Sequence, residues 1–181
     1  MKRRLFLQLP FGAPAMAFYG WPPLAPTLDK GFKVEAGKDR FNKSLNYIGA
    51  RFDLKVSGKD TNGAICVYET TRFEKKGPIL HVHPNLDEWF YVIDGEFKFQ
   101  LGQEILYLKA GDSLFGPRGI PHAFVKISEG PARLLLHHQP AGQMEEQFYE
   151  GSQMTNPTIE QREASMRKYN IVPVGPPLKP D

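Results

Sequence analysis

His81-Val82-His83 sets two imidazoles two residues apart. On a β-strand, residues i and i+2 project from the same face, so this pair suits two neighbouring ligands of one ion. Pro84-Asn85-Leu86 then turns the chain, and Glu88 returns on the next strand. Glu88 joins the histidines if Glu88, Phe90 and Val92 form the inner face of that strand. Farther along, His122 and Phe124 share a face opposite Ala123, Val125 and Ile127. His81, His83, Glu88 and His122 together offer three imidazole nitrogens and one carboxylate oxygen. That mixed N/O set favours one divalent transition metal (Fe, Mn, Ni, Co, Cu or Zn) over Ca or Mg. Four protein ligands on an ion that accepts five or six leave one or two positions for substrate, water or dioxygen. A bare HxH pair is equally what two surface histidines in a loop look like. The assignment therefore needs elements that bring the four residues together.

Those elements read as short strands. From about residue 51 to 139 the apolar pattern has period two, broken at short intervals by Gly, Pro or Asn. Ile65 to Tyr68, Glu88 to Asp94, Glu96 to Leu101, Glu104 to Leu108, His122 to Ile127 and Arg133 to His138 are rich in Val, Ile, Leu, Phe and Tyr and end at turn residues. Many short antiparallel strands with tight turns predict an all-β sandwich, barrel or jelly roll. In Glu96 to Leu101 one face is apolar and the other polar, as in a half-buried strand. In Glu88 to Asp94 both faces are apolar, which calls for an outer cover from N-terminal strands or from a second subunit in a homodimer. One later helix is expected, from Pro157 to Tyr169, with Glu163 and Arg167 at i,i+4 and Asn170 as a left-handed stop. Its thin apolar stripe places it on the barrel surface. The proline-rich tail from Ile171 to Asp181 reads as an extended arm.

Around the candidate ligands the spacing forms a longer pattern. Gly77-x3-His81-x-His83-x4-Glu88-x6-Gly95 is followed, after 15 intervening residues, by Gly111-x5-Pro117-x-Gly119-x2-His122. This resembles the two signature motifs of the cupin family, over residues ~60–140. Two positions depart from it. Gly77 lies two residues closer to His81 than the family pattern asks, and Lys126 stands where a final Asn is usual. That lysine is expected to reach the barrel mouth, or alternatively to contact an anionic substrate. The resemblance implies a double-stranded β-helix barrel with the metal held in its lumen by His81, His83, Glu88 and His122. Pro117-x-Gly119 would make the tight turn that aims His122 inward.

Phe90, Phe97, Phe99, Phe115 and Phe124 are candidates for the lining of a substrate pocket, which an apolar, aromatic-walled metal site would offer to an aromatic or enolisable small molecule. The same rings are what a filled barrel core requires. His138 would face inward with Leu134 and Leu136 and touch the ligands or the substrate; the strand end otherwise favours the surface for His137 and His138 alike. The stretches Asp87 to Val92, Gly111-Asp112-Ser113, Pro117-Arg118-Gly119 and Pro140-Ala141-Gly142 look like those of single-domain cupins similar to quercetin 2,3-dioxygenase. That likeness implies a metal-dependent dioxygenase, in which Glu88 acts as a ligand and as a catalytic base whose pKa burial would raise. The alternatives are a metal-dependent isomerase, or a non-catalytic cupin that binds a small molecule or metal.

Composition closes off other classes. The single cysteine, Cys66, excludes an intrachain disulfide framework or a CxxC site. The net charge of +3 comes from Lys2, Arg3 and Arg4; without residues 1–17 acidic and basic side chains balance, so no basic surface for nucleic acid is expected. Lys2-Arg3-Arg4, the apolar run Leu5 to Ala17 and Ala15-Met16-Ala17 together read as an export signal, resembling the twin-arginine type, which implies a periplasmic mature protein. The alternative is a basic arm on a cytoplasmic protein. The apolar run is too short to span a bilayer. The resulting plan is an export signal at 1–17, an extended arm at 18–45, a barrel at 46–142, and a helix with a proline-rich tail at 143–181.

Overall fold

The computed structural model describes residues 30–180; the expected export segment at 1–17 and the proline-rich stretch before residue 30 lie outside them. The chain forms β1 (Leu45–Tyr47), β2 (Ala50–Val56), a 3-10 turn (Gly58–Thr61), β3 (Cys66–Arg72), β4 (Ile79–Val82), β5 (Asp87–Asp94) and β6 (Glu96–Leu101). It continues through β7 (Glu104–Lys109), β8 (Ser113–Gly116), β9 (His122–Lys126), β10 (Ala132–Gln139), α1 (Met144–Gln153), α2 (Ile159–Lys168) and β11 (Val172–Pro177). The strands make two antiparallel sheets, ordered β1-β2-β3-β10-β5-β8 and β11-β4-β9-β6-β7. Packed face to face, they form a jelly-roll barrel.

Alternation decides what lies between the sheets. On β3 the inward residues are Cys66, Tyr68, Thr70 and Arg72, and on β10 they are Ala132, Leu134, Leu136 and His138. Glu88, Phe90 and Val92 face inward from β5, and Phe97 and Phe99 from β6. Phe90, Phe97, Phe99 and Phe124 pack ring against ring, with centroids 5.0 to 6.3 Å apart, and fill one end of the barrel. Such edge and tilted contacts add to the area the rings bury.

Phe115, expected in the lining, is instead 56% exposed. In the β5–β8 register it stands opposite Trp89, on the outer face, while Leu114 and Gly116 stand opposite Phe90 and Glu88. Among the described residues, the outer face of β5 gains no cover from the N-terminal strands, because β1 and β2 extend the same sheet. Tyr91 there is 37% exposed and stacks on Trp89.

Lys126 also departs from expectation. It is buried at the opposite end of β9 from His122, where Nζ donates to the carbonyls of Phe73 and Gly130. The ammonium finds acceptors close by and has no need to reach the mouth.

Both ends of the chain are tied in more tightly than the sequence suggests. Residues 30–44 are anchored by buried Asp39, whose carboxylate accepts the backbone N–H of Phe41, Lys43 and Leu54. The structure has two C-terminal helices where the sequence predicts one. Helix α2 opens with a reciprocal cap between Thr158 and Gln161 and stops before Asn170, at φ +59°. Helix α1 packs Met144 and Phe148 onto the barrel, and Gly151 lets it lie against the Tyr47 ring, where a Cβ would come within 2.6 Å. The proline-rich tail is a strand, not a loose arm: β11 pairs with β4, setting Val172 opposite Val82 and Pro173 opposite His81.

Candidate metal centre

Three strands deliver the ligand atoms. β4 supplies His81, and His83 follows it directly; β5 supplies Glu88; β9 supplies His122. The His81–His122 pair lies in register across β4 and β9. Two backbone details fix this arrangement. Gly119, at φ +80°, donates its N–H to the His83 carbonyl at 2.9 Å, which joins the turn before His122 to the HxH segment. Gly77 passes so close to β9 that a Cβ would meet the Phe124 carbonyl oxygen at 1.6 Å. The displaced first glycine of the motif thus has a steric reason of its own. Outside the lumen, Arg118 clamps Asp87 with contacts of 2.7 to 3.0 Å, and this holds the Asp87 carboxyl at about 2.

The four side chains are all buried, and their ligand atoms lie within 4.8 Å of one another. His81 Nε2 is 3.2 Å from His83 Nε2. Glu88 Oε2 is 3.4 Å from His83 Nε2 and 3.1 Å from His122 Nε2. Two ligands at right angles, each about 2.1 Å from an ion, are separated by about 3.0 Å. The observed spacing therefore suits adjacent positions around one ion.

Hydrogen bonding behind the rings aims the lone pairs. His81 Nδ1 lies 2.7 Å from the Ile79 carbonyl, and His122 Nδ1 lies 3.0 Å from the Ile120 carbonyl. A carbonyl only accepts, so each Nδ1 carries the proton, and a neutral ring turns the Nε2 lone pair toward the centre. Burial, followed by the neighbouring His122 and His83, holds His81 well below its ordinary pKa. Burial also lowers His83. Lone pairs and a carboxylate gathered at such distances suit a shared cation, and the donor set fits a divalent transition metal.

Glu88 reverses one expectation. Burial alone would raise its pKa, but His138, His122 and His83 outweigh burial and hold the carboxyl well below its ordinary range. Glu88 is therefore ionised at neutral pH, which suits a ligand and makes it a weak base. His138 is fully buried, not at the surface, and stands directly opposite Glu88 in the β5–β10 register. Its Nε2 lies 3.1 Å from Glu88 Oε1, close enough for an ion pair but poorly aligned for a hydrogen bond.

Beside the ligands is a cavity with about 50 Å³ of space in which a water molecule can be centred. Of the rings proposed as its lining, Phe124 reaches it, whereas Phe90, Phe97 and Phe99 are core filling. Its walls otherwise come from Phe52, Leu136, Phe148 and Met166, and from Arg72 and Arg162. Arg72 and Phe148 escape a reading of motifs because neither belongs to one. The available signal for Arg72 was its place on the inward phase of an alternating strand.

Residues 71–138 match the family model of the cupin domain. That stretch, from the end of β3 to β10, resembles a cupin domain. A solved RmlC-like cupin from Shewanella frigidimarina NCIMB 400 superposes with a TM-score of 0.52 at 20% identity, covering 64% of this chain and 96% of that one, and shares the fold. KdgF from Halomonas sp. aligns at a TM-score of 0.48 and 18% identity over 54% of this chain and 85% of its own. Polyketide synthase CurC from Streptomyces cyaneus is 32% identical over 60 residues, 33% of this chain. That match spans 39% of the length of the curated relative.

Proposed function

We propose that this protein is a metal-dependent oxidoreductase of the dioxygenase type acting on a small aromatic or enolisable molecule. The observation that carries this reading is the buried three-histidine, one-glutamate set opening on an apolar cavity. A divalent transition metal bound there would supply a Lewis-acid centre with positions left for substrate and dioxygen. The chain supplies the rest. His81 and His122 are oriented by backbone carbonyls, Glu88 brings the negative charge, and Phe52, Phe124 and Phe148 keep bulk water away from the reacting atoms. Insertion of both atoms of O2 into one substrate needs no external reductant, and the reading requires none. The cavity size favours small enolisable molecules over polycyclic ones.

The test is oxygen uptake by metal-loaded protein with flavonols, small enediols and β-diketones, each repeated under argon. Oxygen consumption that disappears in His83→Ala is the expected result. Full metal occupancy with no oxygen uptake across the panel overturns the dioxygenase reading. Turnover under argon would instead identify an isomerase, and recovery of an unchanged, tightly bound molecule would identify a binding protein.

A further inference from the structure

Arg72 ends β3 on the inner face and is 2% exposed. Its cross-strand neighbours, Ala132 on β10 and Ala50 on β2, are small and leave room for a guanidinium. That group lies over two rings, with Cζ 4.5 Å from the Phe124 centroid and 5.3 Å from that of Phe52. Nε and Nη1 are buried and have no hydrogen-bond partner in the protein. An arginine in such a place costs stability unless something completes it, since buried donors are normally paired and buried charges normally neutralised.

The same residue stands in the wall of the cavity that His81, His83 and Glu88 line. Arg162, from α2, lines it too, and Glu88 is the acidic residue among the lining. Glu88 is already engaged by His83, His122 and His138. With a divalent ion in place, the cavity carries two guanidinium charges and the ion against one carboxylate. An anion must balance that excess, and a planar oxyanion is what a guanidinium binds best. The space is small, enough for roughly three or four waters. Burial lowers the Arg72 pKa to about 9, which leaves it charged at neutral pH.

We propose that Arg72 is the carboxylate-binding residue of this site, and that the substrate is a small enolisable carboxylate such as a 2-oxo or 3-oxo acid. The assignment rests on the metal-dependent reading above and narrows its substrate class. The carboxylate fills the donors that Arg72 holds open, while the enolisable end faces the metal ligands.

Pyruvate and 2,3-butanedione test it, because they share a shape and differ in the charged group. Calorimetry on full-length, cobalt-loaded protein is expected to show pyruvate binding at least about tenfold more tightly, the scale of one charge-assisted hydrogen bond. In Arg72→Met that preference falls below about threefold, with cobalt content unchanged. Arg72→Met is also expected to melt no lower than the parent, because it removes an unpaired buried charge and keeps the volume. Pyruvate should raise the melting temperature of the metal-free parent and leave that of metal-free Arg72→Met unmoved. If Arg72→Met does not fold, Arg72→Lys carries the test through a severalfold weaker preference.

Equal affinities in the parent, or a preference that survives in the variants, overturns the assignment, since the metal alone would then explain binding. The two readings fail separately. Carboxylate preference without oxygen uptake removes the dioxygenase and keeps the subsite. Oxygen uptake with neutral diketones and no carboxylate preference does the reverse.

Discussion

Glu88 is held from two sides, by His83 and His122 through Oε2 and by His138 through Oε1. Its charge completes the donor set, so Glu88→Gln, which keeps the shape and removes the charge, should lower metal affinity at least about tenfold with the circular dichroism unchanged. His138 does not belong to the four-residue ligand group but lies 3.1 Å from Glu88, which does. His138→Phe is expected to weaken metal binding by about 10–100-fold, the usual effect of losing a partner behind a ligand, again with the barrel intact. Elemental analysis after dialysis against graded chelator measures both. The ligands themselves were legible in the sequence because their spacing is a pattern of several fixed points. His138 was legible only through its phase with Leu134 and Leu136, and Phe115 misled because alternation does not say which phase of a strand faces in. Register against Trp89 settles that, and register is a property of two strands.

At the scale of elements, positioning depends on close approaches. Gly77→Ala would drive a methyl into the Phe124 carbonyl. Backbone cannot yield as a flexible side chain can, so a loss of about 3 kcal/mol is expected from the urea midpoint, at the upper end of overpacking costs. Gly111→Ala is the control. Its φ of +93° strains any side chain, but nothing lies within 4 Å, so the cost should be nearer 1 kcal/mol. The strands of the barrel could be read from period two because one face of each is buried. Helix α1 could not, since its buried apolar pair, Met144 and Phe148, is interrupted by charged and polar residues and followed by Gly151. β11 was hidden by its prolines, which lack the N–H that marks a strand; as an outer strand it tolerates them.

For the whole molecule, metal and proton act on the same ledger of stability. An ion that binds the folded chain alone stabilises it by about 4 kcal/mol at a thousand times its Kd, so metal loading should raise Tm by roughly 10 °C, reversed by chelator. The metal-free protein should show a matching pH dependence. His81 and His83 are held below their ordinary 6.5 in the fold, so the unfolded chain takes up protons that the native chain refuses once pH falls below about 6.5. Stability is therefore fully present above that pH and declines as pH drops, with Glu88 adding in the same direction below about 4.5. Tm recorded from pH 8 to pH 5 checks this; a flat profile would mean that the imidazoles titrate as they do in water. The pairing of β11 with β4 reaches further still. Pro173 lies beside His81, yet the two are remote along the chain. The strand that carries His81 therefore keeps one open edge until β11 has been made, and cleavage between α2 and β11 is expected to loosen the centre without touching a single ligand.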